Sequence, residues 1–248
     1  MDELLSGLRD RLQELCRVPP LPDDWTCASA MLAAHGFRYG GDFFVAGLLD
    51  LPTGPGLQMV LVDVCGKGDT ALPDAVQFAG ALQALLGVIP ADDMLQAAND
   101  YLLRQPDPEA MATAVQVVLD FGSGRYLIRS AGHPPVLRYD TTVGDCLVDN
   151  ARGTALGAVA EPEFDISEGT LLPGEGLLFY TDGVVESRSQ DIEVGISWLC
   201  RTAKAATLEG LDRAPAAILE QVEQGDDDRA VLILGRRGIA SPGAALAG

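Results

Sequence analysis

Histidine and basic residues are scarce in this chain. Its 248 residues include two histidines, and 17 lysines and arginines stand against 36 aspartates and glutamates, which gives a formal net charge of −19 at pH 7. Such an excess of negative charge repels polyanions, so it argues against nucleic acid or an anionic membrane as a partner. We interpret most of these carboxylates as a solvated acidic face.

Cysteine pairs and long apolar runs are also missing. The five cysteines form no C-x-x-C pair, so the ligand spacing of a zinc site is absent, and an odd number without framework spacing indicates free thiols in a reducing compartment. The N-terminus lacks the basic start and apolar stretch of a secretory signal, and no apolar run approaches the length that spans a bilayer. The sequence therefore predicts a soluble, cytoplasmic protein.

What the chain has is aspartate at the ends of apolar, strand-like runs. The run 59–64 carries Asp63 and the run 177–181 is followed by Asp182, each just before a glycine-bearing turn. A desolvated carboxylate at the end of a buried strand is costly unless a partner or a metal compensates it. The pattern therefore predicts something cationic at these strand ends.

Two further acidic positions fit the same interpretation. Asp42 lies in a Gly-Gly-Asp-Phe sequence, and three aspartates at 226–228 precede the apolar run 230–234. If the fold gathers these four positions at one end of a sheet, repulsion between like charges raises their pKa values. Mg²⁺ and Mn²⁺ prefer carboxylate, carbonyl and water oxygens, so a pair of these cations would relieve the repulsion.

Apolar periodicity and turn residues predict the secondary structure. The predicted helices cover residues 2–17, 69–86, 91–104 and 212–224. The predicted strands cover a hairpin within 43–64, a second hairpin formed by 114–120 and 125–130, a resumed strand at 136–139, and runs at 177–181 and 230–234. Hairpins with helices grouped between them indicate antiparallel sheets covered by helices, an α+β architecture.

Two other phosphate-handling patterns are excluded. The Gly66-Lys67-Gly68 sequence lacks the Ser or Thr after lysine, and the earlier glycine, that a Walker A loop requires. Tyr180 occupies the position of the nucleophilic aspartate in the haloacid-dehalogenase pattern, which excludes a phospho-aspartate mechanism.

Five motifs in order resemble those of the SpoIIE/RsbU-like branch of the PPM (PP2C-type) metal-dependent serine/threonine phosphatases of bacteria. They lie at 40–44 (GGDFF), 63–68 (DVCGKG), 131–135 (AGHPP), 180–183 (YTDG) and 227–228 (DD). The resemblance implies a four-layer αββα sandwich of two antiparallel sheets flanked by helices. We expect an N-terminal helix and linker at 1–22, a phosphatase domain at 23–237 and a flexible tail at 238–248.

The resemblance also implies a site with two Mn²⁺ or Mg²⁺ ions, in which Asp63 and Asp42 are the catalytic residues. Asp63 would bridge both ions and the Val64 carbonyl would bind one, while Asp182 and Asp227 would hold the other and Asp42 would act directly or through water. Asp228 remains an alternative to Asp227. Water activated by the two cations would attack phosphorus in line, with no protein nucleophile.

Two departures from the family pattern bear on the chemistry. Cys65 stands where the eukaryotic branch has a histidine proposed as general acid, so we expect water to protonate the leaving group. The usual Asp-Asp-x-Thr sequence reads Asp-Asp-Arg-Ala at 227–230, which removes a hydroxyl near the site but no expected ligand. Lys67 is a candidate phosphate contact or ion-pair partner, and His133 and His35 are interpreted as structural.

The expected function is hydrolysis of phosphoserine or phosphothreonine on an anti-sigma-factor antagonist in a partner-switching pathway. Two alternatives stay open, a catalytically silent binding module and a hydrolase of a small phosphorylated metabolite. The leucine stripe Leu4, Leu8, Leu12 and Leu15 either packs on its own domain or binds a second copy or a regulatory partner. We hypothesise the second, so that self-association or a partner controls activity.

Overall fold

A computed structural model describes residues 2–33, 40–66, 71–140, 145–186, 192–222 and 227–238. Its helices are α1 (Asp2–Leu15), α2 (Leu72–Leu85), α3 (Met94–Leu103), α4 (Ile192–Glu209) and α5 (Ala214–Leu219). Its strands are β1 (Trp25–Leu32), β2 (Phe43–Leu51), β3 (Gly54–Val64), β4 (Ala112–Asp120), β5 (Arg125–Ala131), β6 (Leu137–Asp140), β7 (Asp145–Val148), β8 (Ile166–Thr170), β9 (Gly176–Tyr180) and β10 (Arg229–Arg236).

The strands form two antiparallel sheets of five. Sheet I has the order β1-β10-β9-β6-β7, and sheet II has the order β2-β3-β4-β5-β8. The two sheets pack face to face, and their shared core includes Trp25, Leu61 and Phe179. Helices cover both outer faces, so the four-layer αββα arrangement expected from the sequence is confirmed.

Each outer face has its own apolar core. On sheet II, Phe43 and Val62 pack with Phe78 of α2 and with residues of α1 and α3. On sheet I, Ile233 packs with Leu199 of α4 and with residues of α5. Central strands are thus buried on both faces, which explains why β3, β9 and β10 are nearly continuous apolar runs.

The leucine stripe of α1 packs on its own domain. Leu12 is buried in the core with α2, and Leu5, Leu8 and Leu15 are partly buried against it, while Leu4 is 66% exposed. Leu12 is therefore not available to a second copy or a partner while α1 is docked, contrary to the hypothesis that it forms such a contact. Among the described residues, no helix is both long and apolar enough to cross a membrane.

One expected connection is corrected by the sheet topology. The segment 136–139 was expected to resume the strand that precedes the Gly-His-Pro-Pro sequence, but β5 pairs in sheet II and β6 pairs with β9 in sheet I. The chain therefore crosses from one sheet to the other at His133. Within the described residues, the helix predicted at 212–224 is shorter than expected and covers Ala214–Leu219 (α5).

Candidate metal centre

The predicted aspartates meet where strands of both sheets end. Asp42 immediately precedes β2 and Asp63 lies at the end of β3, and the pairing of Phe43 with Val62 sets them side by side. In sheet I, Asp182 follows β9 while Asp227 and Asp228 precede its neighbour β10. Both strand pairs are antiparallel, so the C-terminal end of one strand lies beside the N-terminal end of its neighbour. This explains how four motifs that are distant in sequence reach the same end of the two sheets.

Glycines let the loops of this edge approach one another closely. A Cβ atom on Gly183 would lie 2.2 Å from the backbone oxygen of Asp228, and one on Gly41 would lie 2.9 Å from the Cβ of Ala71. A larger residue at position 183 would push the segment of Asp182 away from that of Asp228, and one at position 41 would push the loop of Asp42 away from Ala71 at the start of α2. The glycines of the GGDFF and YTDG motifs thus serve close packing at the site.

Asp228 and Asp227 occupy different environments. Asp228 is buried, and its Oδ2 accepts a hydrogen bond of 2.6 Å from the backbone N–H of Gly41. Asp227 is half-buried, and its Oδ1 accepts a 3.0 Å hydrogen bond from the N–H of Asp228. Asp228 therefore ties the loop before Asp42 to the start of β10.

Thr181 is a functional residue that the sequence analysis missed. Its buried hydroxyl donates a 2.8 Å hydrogen bond to Oδ2 of Asp42 and accepts a 2.8 Å hydrogen bond from the N–H of Ala230. The residue therefore joins sheet I to the Asp42 carboxylate of sheet II. A threonine after an apolar strand is common, so only its place within the YTDG motif could have indicated this role.

Two aspartates at this end of the sheets, Asp63 and Asp42, have raised pKa values. Burial is the largest cause of a pKa of about 8 for Asp63, followed by the charges of Asp182, Asp227 and Asp228. The pKa of Asp42 is raised well above its ordinary value, again first by burial and then by Asp63. For these two residues the direction agrees with the expectation, and desolvation contributes more than the repulsion between carboxylates.

Cys65 is exposed at the mouth of the site. Burial of its thiol and the charges of Asp63 and Asp182 raise its pKa. The thiol therefore stays protonated at neutral pH in the metal-free protein, which makes it a poor nucleophile.

His133 lies between the sheets, in the segment that crosses from one to the other. Its Nδ1 is 2.8 Å from the Oγ1 of Thr113, the cross-strand partner of Asp63. Burial lowers the pKa of His133 to about 3, so the ring is neutral. This agrees with the interpretation of His133 as a structural residue.

The donor set fits hard divalent cations. All of the gathered side chains offer carboxylate oxygens, and the raised pKa values of Asp42 and Asp63 show that added positive charge would stabilise their ionised forms. Within the described ranges, no three acidic, thiol or imidazole side chains are arranged to hold a single ion.

Three candidate residues of the sequence analysis cannot be placed. Lys67, His35 and Asp226 lie outside the described residues, as does the predicted helix start at 69–70. Val64, whose backbone carbonyl was the expected fifth ligand, ends β3 and is buried next to Asp63.

Comparison with known proteins identifies a matching family and a relative. The family model described as Stage II sporulation protein E (SpoIIE) matches residues 53–237. The chain is 28% identical over 216 residues to Protein IcfG of Synechocystis sp. (strain ATCC 27184 / PCC 6803 / Kazusa), a match that covers 74% of this chain and 32% of IcfG. The match thus spans about a third of that relative's length.

Solved structures share the fold. The crystal structure of the RsbU and RsbW domains of Rv1364c from Mycobacterium tuberculosis superposes with a TM-score of 0.75 and 27% identity, covering 92% of this chain and 64% of that one. A structure of RsbX in complex with magnesium superposes with a TM-score of 0.63 and 14% identity, covering 87% of this chain and 96% of that one. This chain therefore spans just under two thirds of the Rv1364c structure.

Proposed function

The chain belongs to the SpoIIE family of PP2C-type phosphatases, and from that premise we propose that it is a metal-dependent protein serine/threonine phosphatase. The observation that carries the proposal is the gathering of Asp42, Asp63, Asp182 and Asp227 at one edge of both sheets, with the pKa of Asp63 raised to about 8. A cluster of this kind is costly to the fold unless cations occupy it.

In this proposal the aspartates hold two Mn²⁺ or Mg²⁺ ions. Asp63 and the Val64 carbonyl would hold the ions on the side of sheet II, with Asp42 acting directly or through water, and Asp182 and Asp227 would hold them on the side of sheet I. Two such ions, when bound, would activate water and neutralise phosphoryl oxygens. Asp227 is the candidate ligand of the acidic pair by the family pattern, while Asp228 accepts the Gly41 N–H.

The remaining residues position the site. Thr181 fixes one oxygen of Asp42 and so directs the other toward the cluster. The Cys65 thiol is protonated but far less acidic than an imidazolium ion, so solvent supplies the proton to the departing serine oxygen.

The substrate class rests on the family. The RsbU and RsbW domains of Rv1364c share this fold at 27% identity. By family resemblance, we propose an anti-sigma-factor antagonist as the substrate and partner switching as the pathway.

Hydrolysis assays with matched variants test the proposal. We expect wild type to release phosphate from p-nitrophenyl phosphate and a phosphoserine peptide with Mn²⁺ or Mg²⁺ and to lose this activity in EDTA. Asp63→Asn should be inactive, while Asp50→Asn, an exposed change at the other end of β2, should retain activity. Activity that survives EDTA or Asp63→Asn would overturn the proposal.

A catalytically silent binding module is the second candidate. It is favoured by the two departures from the family pattern at Cys65 and Ala230, which leave the site without a histidine and a hydroxyl. Folded wild-type protein that binds Mn²⁺ but hydrolyses neither substrate would support it.

We also propose that a second copy or a regulatory partner contacts α1. With Leu12 buried, Leu4 is the residue of the stripe that remains exposed. Light scattering of wild type and Leu4→Ser tests this, and an unchanged molar mass together with unchanged activity would remove the idea.

A further inference from the structure

A groove opens beside Cys65, between α2, α3 and the segment 105–111. It encloses about 270 Å³, which is below the roughly 300–1,000 Å³ of small-molecule sites. The groove therefore suits one long side chain of a larger molecule better than a whole metabolite.

The groove has an apolar floor and an acidic rim. Its floor contains Phe78 and Tyr101, whose rings stack with centroids 5.2 Å apart. Its rim contains the exposed carboxylates Asp74, Asp107 and Glu109. Within the described part of the chain, the residues that line it include no lysine, arginine or histidine.

The groove is joined to the acidic cluster by direct contacts. Val64 and Cys65 line one end of it, and the Cys65 N–H donates a 2.9 Å hydrogen bond to the carbonyl of Met111 beside it. On the rim, Asp107 Oδ1 accepts a 2.9 Å hydrogen bond from the N–H of Glu109. Because Val64 follows Asp63 in the chain, the groove begins next to the acidic cluster.

We propose that this groove binds an arginine or lysine side chain of the phosphoprotein substrate, close in sequence to the phosphorylated residue. Such a side chain has an apolar stem that matches the aromatic floor and a cationic head that matches the carboxylate rim. An extended chain spans about 3.3 Å per residue, so a basic side chain a few positions from the phosphoserine can reach a groove that begins at Val64, the chain neighbour of Asp63.

This inference rests on the proposed phosphatase function and adds a substrate class to it. The same rim would repel acidic or phosphorylated residues that flank the phosphoserine. The groove would therefore discriminate against such substrates as well as bind basic ones. Because the rim is exposed, the selectivity should weaken as salt is raised.

A positional scan of phosphopeptides tests the proposal. The parent is a neutral phosphoserine peptide, and each member of the set carries a single arginine or a single glutamate at one of the four positions on either side of the phosphoserine. The value of kcat/KM is measured for wild type and for the Asp107→Asn, Glu109→Gln double variant. These changes keep the shape of the rim and remove its charge. The matched control is the double variant Asp50→Asn, Glu168→Gln, whose two carboxylates are exposed and absent from the groove lining.

We expect arginine at one or two positions to raise kcat/KM about three- to tenfold over the neutral peptide in wild type and in the control. The rim variant should lose this preference while its hydrolysis of p-nitrophenyl phosphate stays unchanged. No arginine preference at any position, or an equal preference in the rim variant, would overturn the proposal.

A peptide-binding assay distinguishes failure of the groove proposal from failure of the proposed phosphatase function. If no substrate is hydrolysed, fluorescence anisotropy of the labelled peptides still reports on the groove. Tighter binding of arginine peptides that the rim variant loses would uphold the groove and count against the phosphatase, whereas equal binding of all peptides would overturn the groove.

Discussion

The hydroxyl of Thr181 donates a 2.8 Å hydrogen bond to the carboxylate of Asp42, and this bond links the two sheets at the acidic cluster. The same hydroxyl accepts the N–H of Ala230, so it also holds the start of β10. Thr181 thus sets the position of Asp42 relative to both Asp182 and Asp227.

Removing this hydroxyl should weaken metal binding and the fold together. Thr181→Val keeps the shape but leaves a buried carboxylate and a backbone N–H without their partner, which should cost about 1–3 kcal/mol of unfolding free energy. We expect the Mn²⁺ concentration for half-maximal activity to rise roughly tenfold. Thr181→Ser should restore both values, and a Thr181→Val variant with wild-type metal dependence would contradict the assigned role.

Substitutions of the adjacent residues Asp227 and Asp228 should have different effects on stability and on metal affinity. Asp228→Ala leaves the Gly41 N–H without its acceptor, so metal-free protein should lose about 1–3 kcal/mol of stability. Asp227→Ala should retain more of its stability and lose Mn²⁺ affinity. Urea unfolding in EDTA and Mn²⁺ titration measure the two effects, and the reverse assignment would show that Asp228 is the ligand.

Metal-free protein should become less stable as the pH rises. The pKa of Asp63 is about 8, far above that of an aspartate in the unfolded chain. Between about pH 4 and pH 8 the folded state therefore holds a proton that the unfolded state has released, and each rise in pH favours unfolding. Relative to Asp63→Asn, wild type in EDTA should lose about 10 °C of melting temperature between pH 5 and pH 8.

Mn²⁺ should remove this trend, since the cations replace the proton. A wild-type melting temperature that rises relative to Asp63→Asn over the same range would show that Asp63 is already ionised and stabilised in the metal-free fold.

His133 should have the opposite pH dependence. Its pKa is lowered to about 3, so between pH 6.5 and pH 3 the unfolded chain binds a proton that the folded state excludes. The stability that neutral His133 contributes is complete above pH 6.5 and is lost as the pH falls. The stability difference between wild type and His133→Asn should therefore shrink by about 2 kcal/mol from pH 7 to pH 5. A difference that stays constant would contradict a neutral, buried ring.

Central elements could be predicted from the sequence because their burial leaves a clear pattern. The runs of β3, β9 and β10 are apolar since both faces of each strand are covered. By contrast, β1, β7 and β8 were not predicted, and all three lie at sheet edges. In β8 the side chains alternate between exposed and half-buried, so no apolar run marks the strand.

The gathering of the aspartates could be predicted from the sequence, but the residues that support them could not. Four aspartates carry a signal because a carboxylate beside a buried strand is unusual. The roles of Thr181 and Asp228 depend on hydrogen bonds between positions more than a hundred residues apart. The groove beside Cys65 is likewise formed by two helices and a loop whose relative placement no local pattern encodes.

Calorimetric titration with Mn²⁺ at pH 7 tests the central claim most directly. Because Asp63 is largely protonated at this pH in the metal-free protein, ion binding must displace protons, and the measured heat should depend on the ionisation enthalpy of the buffer. The account predicts two Mn²⁺ ions per wild-type chain, proton release, and loss of both in Asp63→Asn but not in Asp50→Asn. Absence of binding, or binding that Asp63→Asn leaves unchanged, would contradict it.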